Sequence, residues 1–546
     1  MDKRTITALL MMLALYLAFD MLVWKPQRQA AMQANVTQTQ STPVETDSLA
    51  TPAELPVASI ATADSLFGGS AQTSETLSLE NDLVRVQFDT KGAVITAIEL
   101  KNHNYDESRL VNLVPEGSAL AGMSVYHGAS STNLAETVFS YTQFADGRGI
   151  TFYLGEEANP SIIKRFTLDD FYGLQVDTEV QNLAAIGGLR LDFEAGIADS
   201  EVNTKSKAQD YRFYLNADNE MLKLALSKMR KNQPNGSFGS FAWIAVRSKY
   251  FTIALRETEP PLMRSFSSVV NPATGNPGFS IDSFTRDSKQ SWQQSFMLYA
   301  GPADANLLKG YGRQMENIAE RGANWLRWLA NILAWFLTWL HGYIRNYGVV
   351  ILILALVLKI ILHPLTHKSL TASLKMQKIQ PEMQALQKKY KDDPKTLQIE
   401  MSKLYKEAGA NPLSGCLPLL LQMPIFISMY NVLRYSLDMR NAGFMLWLTD
   451  LSEPDPYLVL PIIMGVFMVV QSLMMQPKKA NLDDMDDKQK AMQSSQKMMT
   501  WMMPIMMFFI FRNMPAGLVL YWTTFNIFSV IQQYYLMKHY KNKDFA

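Results

Sequence analysis

Residues 349–362 read VVILILALVLKIIL, a run that is wholly apolar except for Lys359. With its flanks at 347–366 it has the length and composition of a helix crossing a hydrocarbon core about 30 Å thick. It leads into a loop bearing Lys368, Lys375, Lys378, Lys388, Lys389, Lys391, Lys395, Lys403 and Lys406. An ammonium within such a span costs roughly 2.5–3.5 kcal/mol on insertion scales, so its presence needs a cause. Two causes fit. Lys359 lies about a turn before His363 and Pro364, from where its stem can snorkel to the headgroups. Alternatively it faces a water-filled cavity between helices, the usual setting of an intramembrane charge.

The chain on either side divides into unlike halves. Its 546 residues carry a formal charge of +1 and a mean hydropathy near zero. These averages hide a polar first half and an apolar second half, the pattern of a soluble domain joined to a membrane bundle. The balanced charge argues against a dedicated nucleic-acid binder. A single cysteine, Cys416, excludes an intramolecular disulfide and cysteine-built metal clusters.

Upstream, residues 1–25 contain an apolar stretch behind Lys3 and Arg4, readable as a signal peptide or a retained anchor. Its length and the absence of a lipobox cysteine favour the anchor. Residues 26–75 are rich in Gln, Thr, Ser, Ala and Pro and read as a flexible linker. From 76 to 305, alternating segments such as 83–88, 162–166, 174–180 and 251–255, punctuated by Asp146-Gly147 and Asn235-Gly236, predict a large antiparallel β-sandwich. It has only two histidines, His103 and His127, and no recognisable catalytic constellation.

In the stretch 306–347, Trp325, Trp328, Trp335 and Trp339 recur at helical spacing. They predict an amphipathic helix in the headgroup plane rather than a further span. That choice keeps the basic loop inside, as the positive-inside rule requires. The remaining spans are then 348–366, 417–436, 457–476, 498–512 and 516–537. A helical hairpin at 367–412, a loop at 477–497 and a tail at 538–546 are cytoplasmic. The expectation is a multi-domain membrane protein: an all-α six-span bundle, made of a five-helix core plus the N-terminal anchor, and a large all-β periplasmic domain. Both termini are cytoplasmic. The basic hairpin reads as a solvated charged face or as a docking surface for anionic partners.

Two motifs then stand out: NPLSGCLPLLLQMPIF at 411–426, and PAGLVLYW at 515–522 followed by Asn526, Ile531, Gln532 and Gln533. With the order of elements, they make the whole chain resemble the YidC/Oxa1/Alb3 family of membrane insertases, closest to its Gram-negative form. The resemblance implies an insertase and chaperone of the bacterial inner membrane, with a β-supersandwich of galactose-mutarotase type outside. Its core helices would enclose a hydrophilic groove open to cytoplasm and lipid. Members carry a positive residue in the second span, most often Arg; Lys359 keeps the charge without Arg's planar fork of donors.

Gln422, Asn526, Gln532 and Gln533 become candidate groove lining, although interhelical hydrogen bonding explains them equally. Met423, Phe426, Met506 and Ile510 would form the apolar slide that contacts the substrate helix. Implied partners are nascent membrane proteins, the ribosome, the signal recognition particle receptor, the Sec translocon and the lipid bilayer. No nucleotide-binding or metal motif is present in the sequence, so no cofactor and no enzymatic activity are expected. Nothing in the β domain looks catalytic, so deletion of most of residues 76–300 is expected to be tolerated. The rival reading is a secondary transporter or channel with a periplasmic ligand-binding domain, for which paired acidic residues in the spans are missing from the sequence.

Overall fold

The computed structural model describes residues 73–541 apart from 128–129, 157–158, 219, 239–240, 259–262, 320–321, 323, 391–392, 410–416 and 476–486. The expected N-terminal anchor, nearly all of the linker, the start of the 411–426 motif, part of the 477–497 loop and the end of the tail lie outside these residues.

Strict alternation builds the β domain. In Val84–Asp89 the side chains of Val84, Val86 and Phe88 are buried while Arg85 is exposed, so the strand lays one face on the core. It sits in a four-stranded antiparallel sheet with Thr76–Glu80, Val94–Asn104 and Leu110–Asn112. The second sheet has 13 strands among the described residues. Its spine is a pair of long strands, Gly173–Phe193 and Pro277–Pro302, running antiparallel from Gly173 opposite Tyr299 to Phe193 opposite Phe279. One hydrophobic cluster spans both sheets, with Phe88, Phe152, Phe166, Trp243 and Tyr299 fully buried.

The helical region has eight long elements among the described residues: α1 (Arg327–His341), α2 (Tyr347–Lys378), α3 (Gln380–Lys389), α4 (Pro394–Glu407), α5 (Leu417–Tyr435), α6 (Val459–Met474), α7 (Asp487–Phe511) and α8 (Ala516–Lys541). α2 starts where Asn346 caps it, its side chain accepting from Val349 N at 3.1 Å while donating to Phe444 O at 2.9 Å. Gly348 is required there, because a Cβ would lie 2.0 Å from the Phe444 ring.

The sequence places a boundary at 366, but α2 runs unbroken through Pro364 to Lys378. Proline removes the backbone donor that the Ile360 carbonyl would use, and two residues on the Thr366 hydroxyl donates to the Leu362 and His363 carbonyls at 3.0 and 3.1 Å, bonding back onto the turn that holds the proline. The first limb of the basic hairpin is therefore a direct extension of the apolar helix. α7 likewise begins at Asp487, well before the expected 498, and α8 continues past 537 to Lys541. The break between them at 512–515 holds; Ala516 N and Gly517 N donate to Glu453 O and Leu451 O at 2.7 and 2.9 Å, satisfying the first amides of α8.

α8 is central, lying against α2 and α6, while α6 also packs on α7 and α5 lies along α1. Of the described helices, α2 alone is both long and apolar enough to cross a membrane; α6 and residues 500–511 are shorter apolar helices. α1 buries Ala330, Leu333 and Leu337 and turns Trp328, Trp335 and Trp339 outward.

Candidate functional site

The contact of α2 with α8 brings the sequence's polar residues together. On α2, Lys359, His363 and Thr366 follow at i, i+4, i+7; on α8, Asn526, Ser529 and Gln533 follow at i, i+3, i+7. Each set occupies one helix face, and the two faces meet. Lys359 is 7% exposed, and its Nζ donates to Ser529 Oγ at 2.7 Å. The same ammonium lies 4.6 Å from the Phe525 ring centroid. Ser529 in turn donates to Phe525 O at 2.8 Å. The hydrogen-bond partner of this charge is thus a neutral hydroxyl, with no carboxylate paired to it among the described residues.

One turn further along, Gln532 Nε2 reaches His363 Nδ1 at 3.1 Å and Thr366 Oγ1 at 3.2 Å. Toward the other end, Gln422 of α5 donates to the Tyr521 hydroxyl at 2.9 Å. Other amides stay open. Gln533 is 1% exposed, yet neither of its amide atoms has a hydrogen-bond partner among the described residues; the same holds for Asn526 Nδ2, Gln532 Oε1 and Ser428 Oγ. Leaving a buried polar atom unpaired costs roughly 1–3 kcal/mol, so these amides have hydrogen-bonding capacity left for water or another polar partner.

The four slide residues separate. Met423, Met506 and Ile510 are about half exposed on the outer surface (40%, 47% and 42%). Phe426 points inward, its ring 5.0 Å from Trp522 and 5.7 Å from Phe511. Ser529, Thr366, His363 and Tyr521 escaped the sequence reading. The i, i+3, i+7 recurrence of polar residues on α8 was the available signal.

The β domain has a separate cavity of about 370 Å³ whose lining includes Asp192, Glu194 and Asn271. Glu194 is already engaged by Arg190 at 2.5 Å and Ser280 at 3.1 Å.

Known proteins match this chain along nearly its whole length. The sequence profile of the 60Kd inner membrane protein family fits residues 339–543, and that of the YidC periplasmic domain fits residues 76–336. The membrane protein insertase YidC of Chlorobaculum tepidum is 30% identical over 98% of this chain and 94% of its own. Among solved structures, an active YidC insertase with its first transmembrane domain resolved aligns over 85% of this chain and 93% of that one, at 20% identity and a TM-score of 0.35. A galactose mutarotase related enzyme from Lactobacillus acidophilus aligns over 41% of this chain and 97% of its own, at 13% identity and a TM-score of 0.31. With one profile on each half and a relative matched end to end, the chain belongs to the YidC family of membrane protein insertases.

Proposed function

We propose that the protein inserts and folds nascent membrane proteins in the bacterial inner membrane through a hydrated groove between α2, α5 and α8, alone or with the Sec translocon, and without nucleotide hydrolysis. The observation that carries this reading is the buried Lys359, held by a hydroxyl beside the unpaired amides of Gln533 and Asn526. An uncompensated charge and open hydrogen-bonding groups are costly in a dry interior and inexpensive in a water-filled notch. Gln422, Gln532, Gln533 and Asn526 line that notch. Met423, Met506 and Ile510 form its lipid-facing slide, and Phe426 closes it from inside.

The chemistry is physical rather than covalent. Water in the notch lets a short hydrophilic tail enter partway without meeting hydrocarbon, and Lys359 attracts acidic residues in that tail. The following apolar helix leaves water along the slide, gaining about 25 cal/mol per Å² of apolar surface. That gain replaces nucleotide hydrolysis as the driving force.

The ends of the helices support an orientation. The C-terminus of α5 and the loop before α6 meet the β domain through Arg434 and Glu453. α3 and α4 extend from the far end of α2. This supports a multi-pass chain with the β domain periplasmic and the basic hairpin and the end of α8 cytoplasmic; the N-terminus is assigned to the cytoplasm from the sequence alone. The hairpin's lysines then offer a docking face for the ribosome and the signal recognition particle receptor.

Reconstitution in liposomes without nucleotide tests the reading, using a single-span substrate with a short acidic tail. Wild type and Lys359→Arg should insert it, and Lys359→Ala should fail most on the most acidic tails. Equal insertion by the alanine variant and wild type across all tails would remove the electrostatic role.

A further inference from the structure

The β domain grips one wall of the proposed groove through buried charge. Arg434, in the last turn of α5, donates from Nε at 3.1 Å and from one terminal nitrogen at 2.9 and 3.1 Å to the carboxylate of Asp210. Their side chains are 7% and 5% exposed. Just beyond, Arg440 donates to both oxygens of Glu201 at 2.8 and 3.0 Å and to Ser200 O at 3.1 Å. In the opposite sense, Lys249 of the β domain reaches Glu453 at 2.9 Å, in the loop whose carbonyls receive the first amides of α8. Two of the bundle's cations are therefore fixed by β-domain carboxylates, Arg434 through two nitrogens, the bidentate form that sets position as well as energy, and Arg440 through Nε shared between both oxygens.

α5 buries Ile425, Met429, Val432 and Leu433 in the bundle's core, and its outer end adds the charged contacts to the β domain. It lies along α1 and touches α2 and α8 at few points, Gln422 to Tyr521 and Phe426 to Trp522 among them. Its distance from α8 is the width of the notch. We infer that Asp210 and Glu201 are positioning residues for insertion: by anchoring Arg434 and Arg440 they hold the outer end of α5 at the separation from α8 that the groove requires. The inference rests on the groove reading given above. A guanidinium deprived of its carboxylate in a buried site seeks water or anionic headgroups, and α5 moves with it. Removal of the β domain would strip both arginines of these partners, so tolerance of that deletion is no longer expected to be complete.

The test uses the full chain in proteoliposomes, with Cys416→Ser as background and spin labels at Ile427 of α5 and Ile531 of α8. Asp210→Asn should shift and broaden the distance distribution and slow insertion by roughly fivefold, within the range of coupled charge pairs. The exchange Asp210→Arg with Arg434→Asp should restore the distribution and bring insertion back to within about twofold. If Asp210→Asn does not accumulate, Arg434→Lys, which keeps the charge and loses the fork, should give the same shift at smaller amplitude. Folded single variants with the wild-type distribution, or an exchange that leaves it displaced, would overturn the proposal. Wild type and Lys359→Ala run in parallel: a wild type that inserts nothing would sink the groove reading, while the distances still decide the role of the clamp.

Discussion

The interior of the β domain and the seam between α2 and α8 both bury cations, and they surround them differently. In the β domain Arg264, 3% exposed, is hydrogen-bonded to Glu257 and Ser283, and the ammonium of Lys164 is capped by the carbonyls of Ala93 and Ala121. In the bundle Lys359 donates to one hydroxyl, and Gln533 on the same face of α8 as that hydroxyl has no partner among the described residues. The apolar side chains divide likewise. The rings of Phe88, Phe152 and Phe166 close on one another inside the sandwich, whereas Trp335, Ile360 and Met506 face outward. A charge satisfied by its own protein is architecture. One left with spare capacity is available to something that arrives later.

The largest effect is expected where a buried cation is paired with a buried carboxylate. Glu257→Ala leaves Arg264 buried without its anion, and breaking such a pair typically costs about 3–5 kcal/mol. Chemical unfolding of the detergent-solubilised chain, followed by tryptophan fluorescence, measures it. A loss under about 1 kcal/mol, the value of an exposed pair, would erase the contrast from the β-domain side.

Lys359→Met probes the other side. Removing an under-satisfied charge from a buried site should leave the thermal midpoint unchanged or higher, while insertion of an acidic-tailed substrate falls about tenfold, equivalent to about 1.4 kcal/mol. Opposite signs for stability and activity are the signature of a site kept strained for function. A variant that loses both together would make Lys359 structural, like Arg264.

Much of this contrast is legible in the residues themselves. The sandwich followed from alternation, as in Val84, Val86 and Phe88, and the apolar run around Lys359 announced itself by its one charge. The break at Arg512 to Pro515 was readable because arginine, asparagine and proline interrupt an apolar run. The helix ends were not. Pro364 looks like a terminator, yet α2 passes through it to Lys378. Nor were the clamps: Asp210 and Arg434 are 224 residues apart, and Glu201 and Arg440 are 239 apart. A lone surface-type charge carries no local sign of so distant a partner. The slide set was half legible, because spacing on a helix says which residues share a face and not whether that face looks inward, as Phe426 does, or outward, as Met423 does.

A pH titration sharpens the β-domain half with a smaller effect. Burial pushes the Lys164 ammonium down to about 7 from the ordinary lysine value near 10.5. Between those two values the unfolded chain binds more protons than the folded one, so this group makes stability rise with pH across the window, by up to about 1.4 kcal/mol per unit. Below 7 both states are protonated and its contribution is flat. Thermal midpoints of wild type and Lys164→Met from pH 7 to 10 should therefore diverge, the variant lacking the rising component. Parallel curves would mean that the capped ammonium keeps its proton throughout, and that the two carbonyls compensate its burial fully.

The smallest effect belongs to the outward tryptophans. Trp335 and Trp339 stack with ring centroids 6.0 Å apart on the exposed side of α1, 64% and 47% exposed, while Leu333 and Leu337 face inward. If that face met only water, replacing Trp335 by Ser would change little anywhere. If it lies among headgroups, the ring's amphipathic edge is an anchor, and its loss should register only when a bilayer is present. Folding stability in detergent should then move by no more than about 0.5 kcal/mol. In liposomes containing brominated lipids, Trp335→Ser should lose part of the tryptophan quenching seen in wild type. Quenching that does not change would place this surface away from lipid, and α1 would belong with the self-satisfied half of the molecule rather than with the half that faces its surroundings.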